Sequence, residues 1–202
     1  IRHVDIVGNN YVNTQEILNS ISIKEIKSIF NCDIKSIKNN IEQIPFIKTV
    51  HIGIKIPDKL EIMIVERTPI ALVIYGDKKT FIDYDNISLP VNSNSVNNFP
   101  VPILNIENIK IHHDSISIIK YLYKNYNSLY NNISEIIISN SKITIITDYR
   151  TKIFINPDMV IKNIAKLRSF EKSISLIKKI NDYRYINLIY ENQVVVKEKV
   201  HS

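Results

Sequence analysis

The sequence predicts an α+β chain of two domains, and three observations carry that prediction. Between Val50 and Ile64 apolar and polar residues alternate on both sides of Pro57-Asp58-Lys59, the pattern of an antiparallel hairpin with one buried face. Upstream, apolar residues recur at helical spacing, first in Ile17, Leu18 and Ile21 and then in Ile34, Ile37, Ile41 and Ile44. After Pro69 the texture changes to short strands separated by turns, with two further helical stretches. The expected boundary falls there. It gives a first domain over 1–68 in the order strand, helix, helix, strand, strand, and a β-rich second domain over 69–202 with two covering helices.

Arg2 to Val7 reads as the first strand, closed by the turn residues Gly8-Asn9-Asn10. Asn13 and Glu16 have capping-box spacing, and Val12 and Ile17 suit a hydrophobic staple around the same cap. Ser22 to Asn31 fits a helical continuation without clear ends. Asp33 is the expected cap of the second helix, which Pro45 ends. In the hairpin, Val50, Ile52, Ile54 and Ile56 and then Leu60, Ile62 and Ile64 are the expected buried face. Pro69 has no N–H to give a ladder, so Glu66-Arg67-Thr68-Pro69 is expected to close this domain outside any regular central strand.

The second domain should open with strands at Ile70 to Tyr75 and Thr80 to Ile82 around Gly76-Asp77-Lys78-Lys79, followed by a turn at Asp83-Tyr84-Asp85-Asn86. Residues 89–102 are rich in Asn, Ser and Pro and read as a loop. Asp114 is the expected cap of a helix that buries Ile116, Ile119, Tyr123 and Tyr126, a stripe better explained as core than as a binding platform. Strands are predicted at Ile133 to Ile138, Lys142 to Thr147 and Thr151 to Ile155. Asn156-Pro157-Asp158 then starts a helix whose buried side is Ile161, Ile164 and Leu167. Two strands, Arg184 to Tyr190 and Val194 to Glu198, close the chain around Glu191-Asn192-Gln193.

Composition excludes several function classes. Hydrophobic residues at 45% and charged residues at 23% belong to a folded chain. No apolar run reaches the roughly 18 residues of a membrane span. The single cysteine, Cys32, rules out an internal disulfide and a cysteine-rich metal site, and its apolar neighbourhood fits a core thiol. There is no Gly-rich phosphate loop, HExxH or CxxC. His112-His113 would point to opposite faces of a strand, and the neighbouring Asp114 serves as a helix cap, so no metal site is assigned. No catalytic, cofactor-binding or metal-binding residue is expected, and no enzyme. The net charge of +6 comes from scattered lysines in a chain rich in Ile, Asn, Lys and Tyr with only three glycines, a bias that an A+T-rich genome produces. A nucleic-acid partner, which requires a clustered basic face, is not expected.

Four ordered stretches, Val4 to Asn9, Ile44 to Val50, Pro57 to Ile62 and Glu66-Arg67-Thr68-Pro69-Ile70-Ala71, resemble the polypeptide-transport-associated (POTRA) domain of the bacterial FtsQ/DivIB family. Phe81-Ile82-Asp83 with Leu89-Pro90, and Phe99-Pro100 with Ile103-Leu104, resemble the start of that family's β domain. Tyr185 to Tyr190 is similar to its closing motif Ile-Asp-Leu-Arg-Tyr, with Asn187 in place of the aspartate and Ile189 in place of the arginine. The resemblance implies a non-enzymatic scaffold of the division machinery at the septum. It implies FtsB/DivIC-like and FtsL-like partners, and a single-pass inner-membrane anchor preceding Ile1 that leaves these domains on the periplasmic side. A POTRA-bearing module of an outer-membrane assembly or secretion machine is the alternative, and a basic cytoplasmic nucleic-acid-binding protein a third reading.

Strand addition to the β domain is the expected binding mode. The candidate residues are Tyr190, Gln193, Val194, Val195, Val196, Lys197 and Lys199, with the lysines as charges that guard an edge or attract an acidic partner. Two alternatives stand beside this reading: Val194 to Val196 as a core strand paired on both sides, and Tyr190 as a buried tyrosine with one hydrogen bond. Glu66 and Arg67 form either a recruitment surface or a salt-bridged hinge.

Overall fold

The computed structural model describes residues 3–21, 33–92, 99–107 and 112–200, the side chains of 112–115 apart. Cys32 and the segment from Ser22 to Asn31 lie outside the described residues, as do the side chains of His112, His113 and Asp114. The chain divides into two compact units, Ile1–Thr68 and Pro69–Ser202.

The first unit runs β1 (His3–Val7), α1 (Thr14–Ser20), α2 (Ile34–Glu42), β2 (Ile47–Lys55) and β3 (Lys59–Glu66), the expected order of elements. Its sheet is mixed, with strand order β1-β3-β2; β1 lies parallel to β3, and β2 pairs antiparallel with β3. Both helices start at the residues that local chemistry marks. The Asn13 side chain accepts the Gln15 N–H at 2.7 Å, and the Asp33 carboxylate accepts the Ser36 N–H at 3.1 Å. Ile17, Ile37, Ile41 and Ile44 then pack on Val50, Leu60, Ile62 and Ile64 in one core. Each such side chain contributes about 1.5–3 kcal/mol by leaving water.

Two isoleucines expected on the buried face are not buried: Ile54 is 38% and Ile56 77% exposed. Length is the reason. The nine residues of β2 extend about 30 Å, whereas the nine of α2 extend about 14 Å, so the helices cover only the near end of the hairpin.

The second unit contains β4 (Pro69–Tyr75), β5 (Lys78–Asp83), β6 (Ser88–Leu89), β7 (Ile103–Ile106), α3 (His112–Asn125), α4 (Asn127–Tyr130), β8 (Ile133–Ile138), β9 (Ile143–Thr147), β10 (Lys152–Ile155), α5 (Val160–Ile174), β11 (Tyr183–Asn187) and β12 (Val195–Glu198). Together the strands form a nine-stranded sheet in the order β12-β11-β10-β9-β8-β7-β4-β5-β6. The parallel neighbours β7 and β8, and β10 and β11, each need a crossover, and α3 and α5 supply them. Ile119 and Leu122 of α3 and Ile164 and Leu167 of α5 share one core with Ile136, Ile145 and Ile153 of the sheet, so both helices cover the same face. The Tyr126 hydroxyl donates to the Glu171 carboxylate, which ties the two helices side by side.

Five local expectations are corrected here. Pro69 is the first residue of β4 and is buried, a place where the missing N–H breaks no ladder. The loop read at 89–102 is followed by a strand, β7, which the reading lacked. Helix α3 begins at His112, so Asp114 lies in its first turn rather than at its cap, and Tyr123 sits at the rim of the buried stripe with 39% exposure. In α5 the short 3-10 turn Pro157–Met159 shifts the phase: Ile161 is 55% exposed, and Asn163 takes the inward position, accepting the Asn156 N–H at 3.0 Å.

Two positions test this architecture. Gly8 has φ +91°, and a Cβ there would stand 2.1 Å from the Ile64 carbonyl oxygen. Gly8→Ala should therefore lose about 3 kcal/mol of stability, read as a lower denaturant midpoint for the first unit. The buried Tyr130 hydroxyl donates to the Ile70 carbonyl at 3.0 Å, and burial pushes its pKa up from 10.0 to about 12. The neutral phenol is the folded form. Its contribution is complete below the ordinary pKa and fades as pH rises through 10 towards 12. Alkaline titration followed by tyrosinate absorbance should show a group ionising at about 12 that Tyr130→Phe removes, while Tyr126, pushed up further by burial and the Glu171 carboxylate, still ionises later.

Candidate functional site

The last hairpin of the second unit is built by helix α5. The Asn187 side chain accepts the Ile189 N–H at 3.0 Å, a local turn that ends β11. The Lys166 ammonium then donates to the carbonyls of Leu188 and Tyr190, and Lys162 pairs with Glu191 at 2.7 Å. Burial lowers the pKa of Lys166, with the charge of Lys162 adding to the effect. The Lys162 hydrogen bond holds Glu191 below the usual carboxylate range. Neither lysine was singled out from sequence. Their i, i+4 spacing on one side of α5 was the available signal.

This strapped connection delivers β12 to the end of the sheet. β12 pairs antiparallel with β11 through Asn187↔Val195, Ile186↔Val196 and Tyr185↔Lys197, and among the described residues no strand of the sheet lies beyond it. Val194 and Val196 pack against the rim of the core, which leaves Val195 and Lys197 on the other face. Gln193 is exposed, and Tyr190 is 52% exposed rather than buried. At the far end the Lys199 N–H donates to the Asp182 carbonyl at 2.9 Å, and its ammonium donates to the carbonyls of Tyr149 at 2.6 Å and Asn181 at 2.7 Å. Lys199 thus works inside the fold as a clasp.

The Lys199 bond also fixes which way the backbone of β12 points. Peptide groups alternate sides along a strand, so those of Val195 and Lys197 face β11 together with Lys199, and those of Val196 and Glu198 face outward. The outward groups are the donors and acceptors that an added strand would use. A bulge between Tyr183 and Tyr185 falls on β11 and leaves the alternation of β12 intact.

In the first unit Glu66, at the end of β3, accepts the N–H groups of Asn10, Tyr11 and Val12 at 2.8–3.0 Å. A carboxylate facing three successive amides fastens the β1–α1 loop to the last strand. Arg67 donates its backbone N–H to the Phe46 carbonyl at 2.7 Å. Among the described residues no group of three or more His, Cys, Asp or Glu is placed to hold a metal ion.

Comparison with known protein families matches residues 1–67 to the FtsQ-type POTRA domain and residues 68–197 to the C-terminal related domain of FtsQ/DivIB. The chain belongs to the FtsQ/DivIB family. Among curated relatives, the cell division protein DivIB of Clostridium acetobutylicum is 28% identical over 94 residues, 46% of this chain and 38% of that protein. FtsQ of Novosphingobium aromaticivorans is 29% identical over 89 residues, 44% of this chain and 28% of its own length. DivIB of Staphylococcus aureus is 37% identical over 78 residues, 39% of this chain and 18% of that protein. The matched stretches thus span well under half of each relative.

Within the FtsQ/DivIB frame, Asn187 keeps the acceptor that ends β11, while Ile189 carries no charge and is half-buried. The POTRA unit offers the sharper test. Glu66→Ala removes the acceptor of three amides, two of them exposed enough for water to replace it, so the expected loss is about 1–2 kcal/mol. Hydrogen exchange should show faster exchange at Tyr11 and Val12, with β2 unchanged.

Proposed function

We propose that this chain is the extracytoplasmic part of a non-enzymatic scaffold of the bacterial division machinery, a membrane protein of the division septum. It binds FtsB/DivIC-like and FtsL-like proteins by strand addition to β12. The observation that carries the reading is the free edge of β12, with the peptide groups of Val196 and Glu198 turned outward at the end of a nine-stranded sheet. Family membership supports the division role, and the relatives above are named cell division proteins. No helix among the described residues is long and apolar enough to cross a membrane.

Main-chain bonds supply affinity in this mode, and side chains set register. Val195 and Lys197 present one apolar and one charged group on the outer face, and Tyr190 with Gln193 flank the entry of the strand. Lys197 favours an acidic partner and raises its rate of encounter more than its affinity. Glu66 and Arg67 keep their reading as a recruitment surface of the POTRA unit or a hinge at its end, and the Glu66 carboxylate also fastens the β1–α1 loop.

The alternation of β12 chooses the experiment. Val196→Pro deletes an outward N–H and spares the bonds to β11, whereas Val195→Pro breaks the inner ladder and disturbs the strand itself. Titration of the 202-residue chain with the extracytoplasmic segment of the same organism's FtsB/DivIC-like protein should give saturable binding. Val196→Pro should weaken it about tenfold or more while the thermal transition of the second unit stays in place. Wild-type affinity in Val196→Pro would remove β12 as the binding edge.

A further inference from the structure

The four most exposed large apolar side chains described in the second unit gather at one end of it: Leu176 at 99%, Val200 at 91%, Ile177 at 84% and Tyr149 at 64%. They come from three separate stretches, the turn after α5, the tail of β12 and the β9–β10 hairpin tip. Lys199 joins them. Its ammonium bridges the carbonyls of Tyr149 and Asn181, its N–H meets Asp182, and Val200 follows it directly. Lys178 brings the Leu176-Ile177 turn to the same place by pairing with Glu198.

The turn is ordered. The N–H groups of Ile177 and Lys178 both donate to the Ile174 carbonyl at 2.8 Å, so Leu176 and Ile177 are held outward by backbone bonds. Singly exposed apolar residues are ordinary on a protein surface; a cluster of them held outward is not.

Exposed lysines flank the apolar tips. Lys172 and Lys179 are exposed on either side of Leu176-Ile177. Of the nearby acids Glu198 pairs with Lys178, while Asp182, which accepts the Lys179 N–H at 2.7 Å, and Glu171, which accepts the Tyr126 hydroxyl, keep their negative charge further back in the fold's hydrogen bonding. Charged residues such as lysine are depleted in the core of the patches that proteins present to one another, whereas aliphatic tips and a tyrosine flanked by lysines suit a bilayer interface with anionic headgroups.

We propose that this end of the second unit docks on an anionic lipid surface. Leu176 and Ile177 insert into the interfacial layer, Tyr149 lies at headgroup level, and Lys172 and Lys179 meet the lipid phosphates with their stems along the apolar side chains. The cluster adjoins the far end of β12 at Glu198 and Val200 but is built on the turn after α5, and it does not depend on the partner proposed for that edge.

Vesicle co-sedimentation of the whole 202-residue chain tests the proposal. Vesicles of phosphatidylglycerol and phosphatidylethanolamine should retain the protein, vesicles of phosphatidylcholine alone should not, and added salt should weaken retention. The double variant Leu176→Ser with Ile177→Ser should lower partition about tenfold, and Lys172→Gln or Lys179→Gln about fivefold each. All four side chains are exposed, so circular dichroism and the thermal midpoint should match the wild type. Three results would overturn the proposal: equal retention on neutral vesicles, wild-type partition in the double serine variant, or unchanged partition alongside a lost complex with a soluble protein, which would make the cluster a protein-docking face.

Discussion

The parallel pairing of β10 with β11 is the constraint on which the far end of the second unit depends. Two consecutive parallel strands cannot be joined by a tight turn, so the chain must leave the sheet, run back along it and re-enter. Helix α5 makes that passage, and burial of Ile164 and Leu167 holds it on the sheet. Once β11 is seated, β9 and β11 occupy the two sides of β10 and β10 occupies one side of β11. The hairpin partner of β11 therefore has one place to go, the outside. The edge position of β12 is thus set by topology, not by any property of Val194 to Val196 themselves.

Helix α5 does more than cross over. Its Lys162 and Lys166 reach the connection between β11 and β12, and Lys199 clasps the other end of β12 through two carbonyls. A strand with neighbours on only one side lacks half of the usual ladder, and these cationic contacts at both ends of β12 replace part of it. Lysines therefore hold down both ends of the edge while its middle stays open to solvent.

How much of this was legible depended on range. The caps at Asn13 and Asp33, the hairpin turn and the strands from Ile133 to Ile155 follow from local rules and were readable directly. Strand β7 was hidden because four residues, preceded by two prolines and paired on both sides, show neither the length nor the alternation of a half-buried strand. The buried side of α5 was misread by a fraction of a turn, since a 3-10 start advances the chain differently from an α-helical one. Glu66 and Lys199 were assigned by residue type as surface charges. Their acceptors and donors lie some 18 to 56 residues away, and no spacing rule connects them. The edge itself was named from the position of the last strand; the direction of its peptide groups required the Lys199 bond.

The opposite margin of the nine-stranded sheet is β6, only two residues long, with Thr80 donating its hydroxyl to the Leu89 carbonyl beside it. A sheet with two long bare margins can recruit copies of itself head to tail and grow without limit, because such a contact never closes. Here one margin is open and the other is too short to template a neighbour. Edge pairing through this sheet therefore lacks a second long margin from which to repeat.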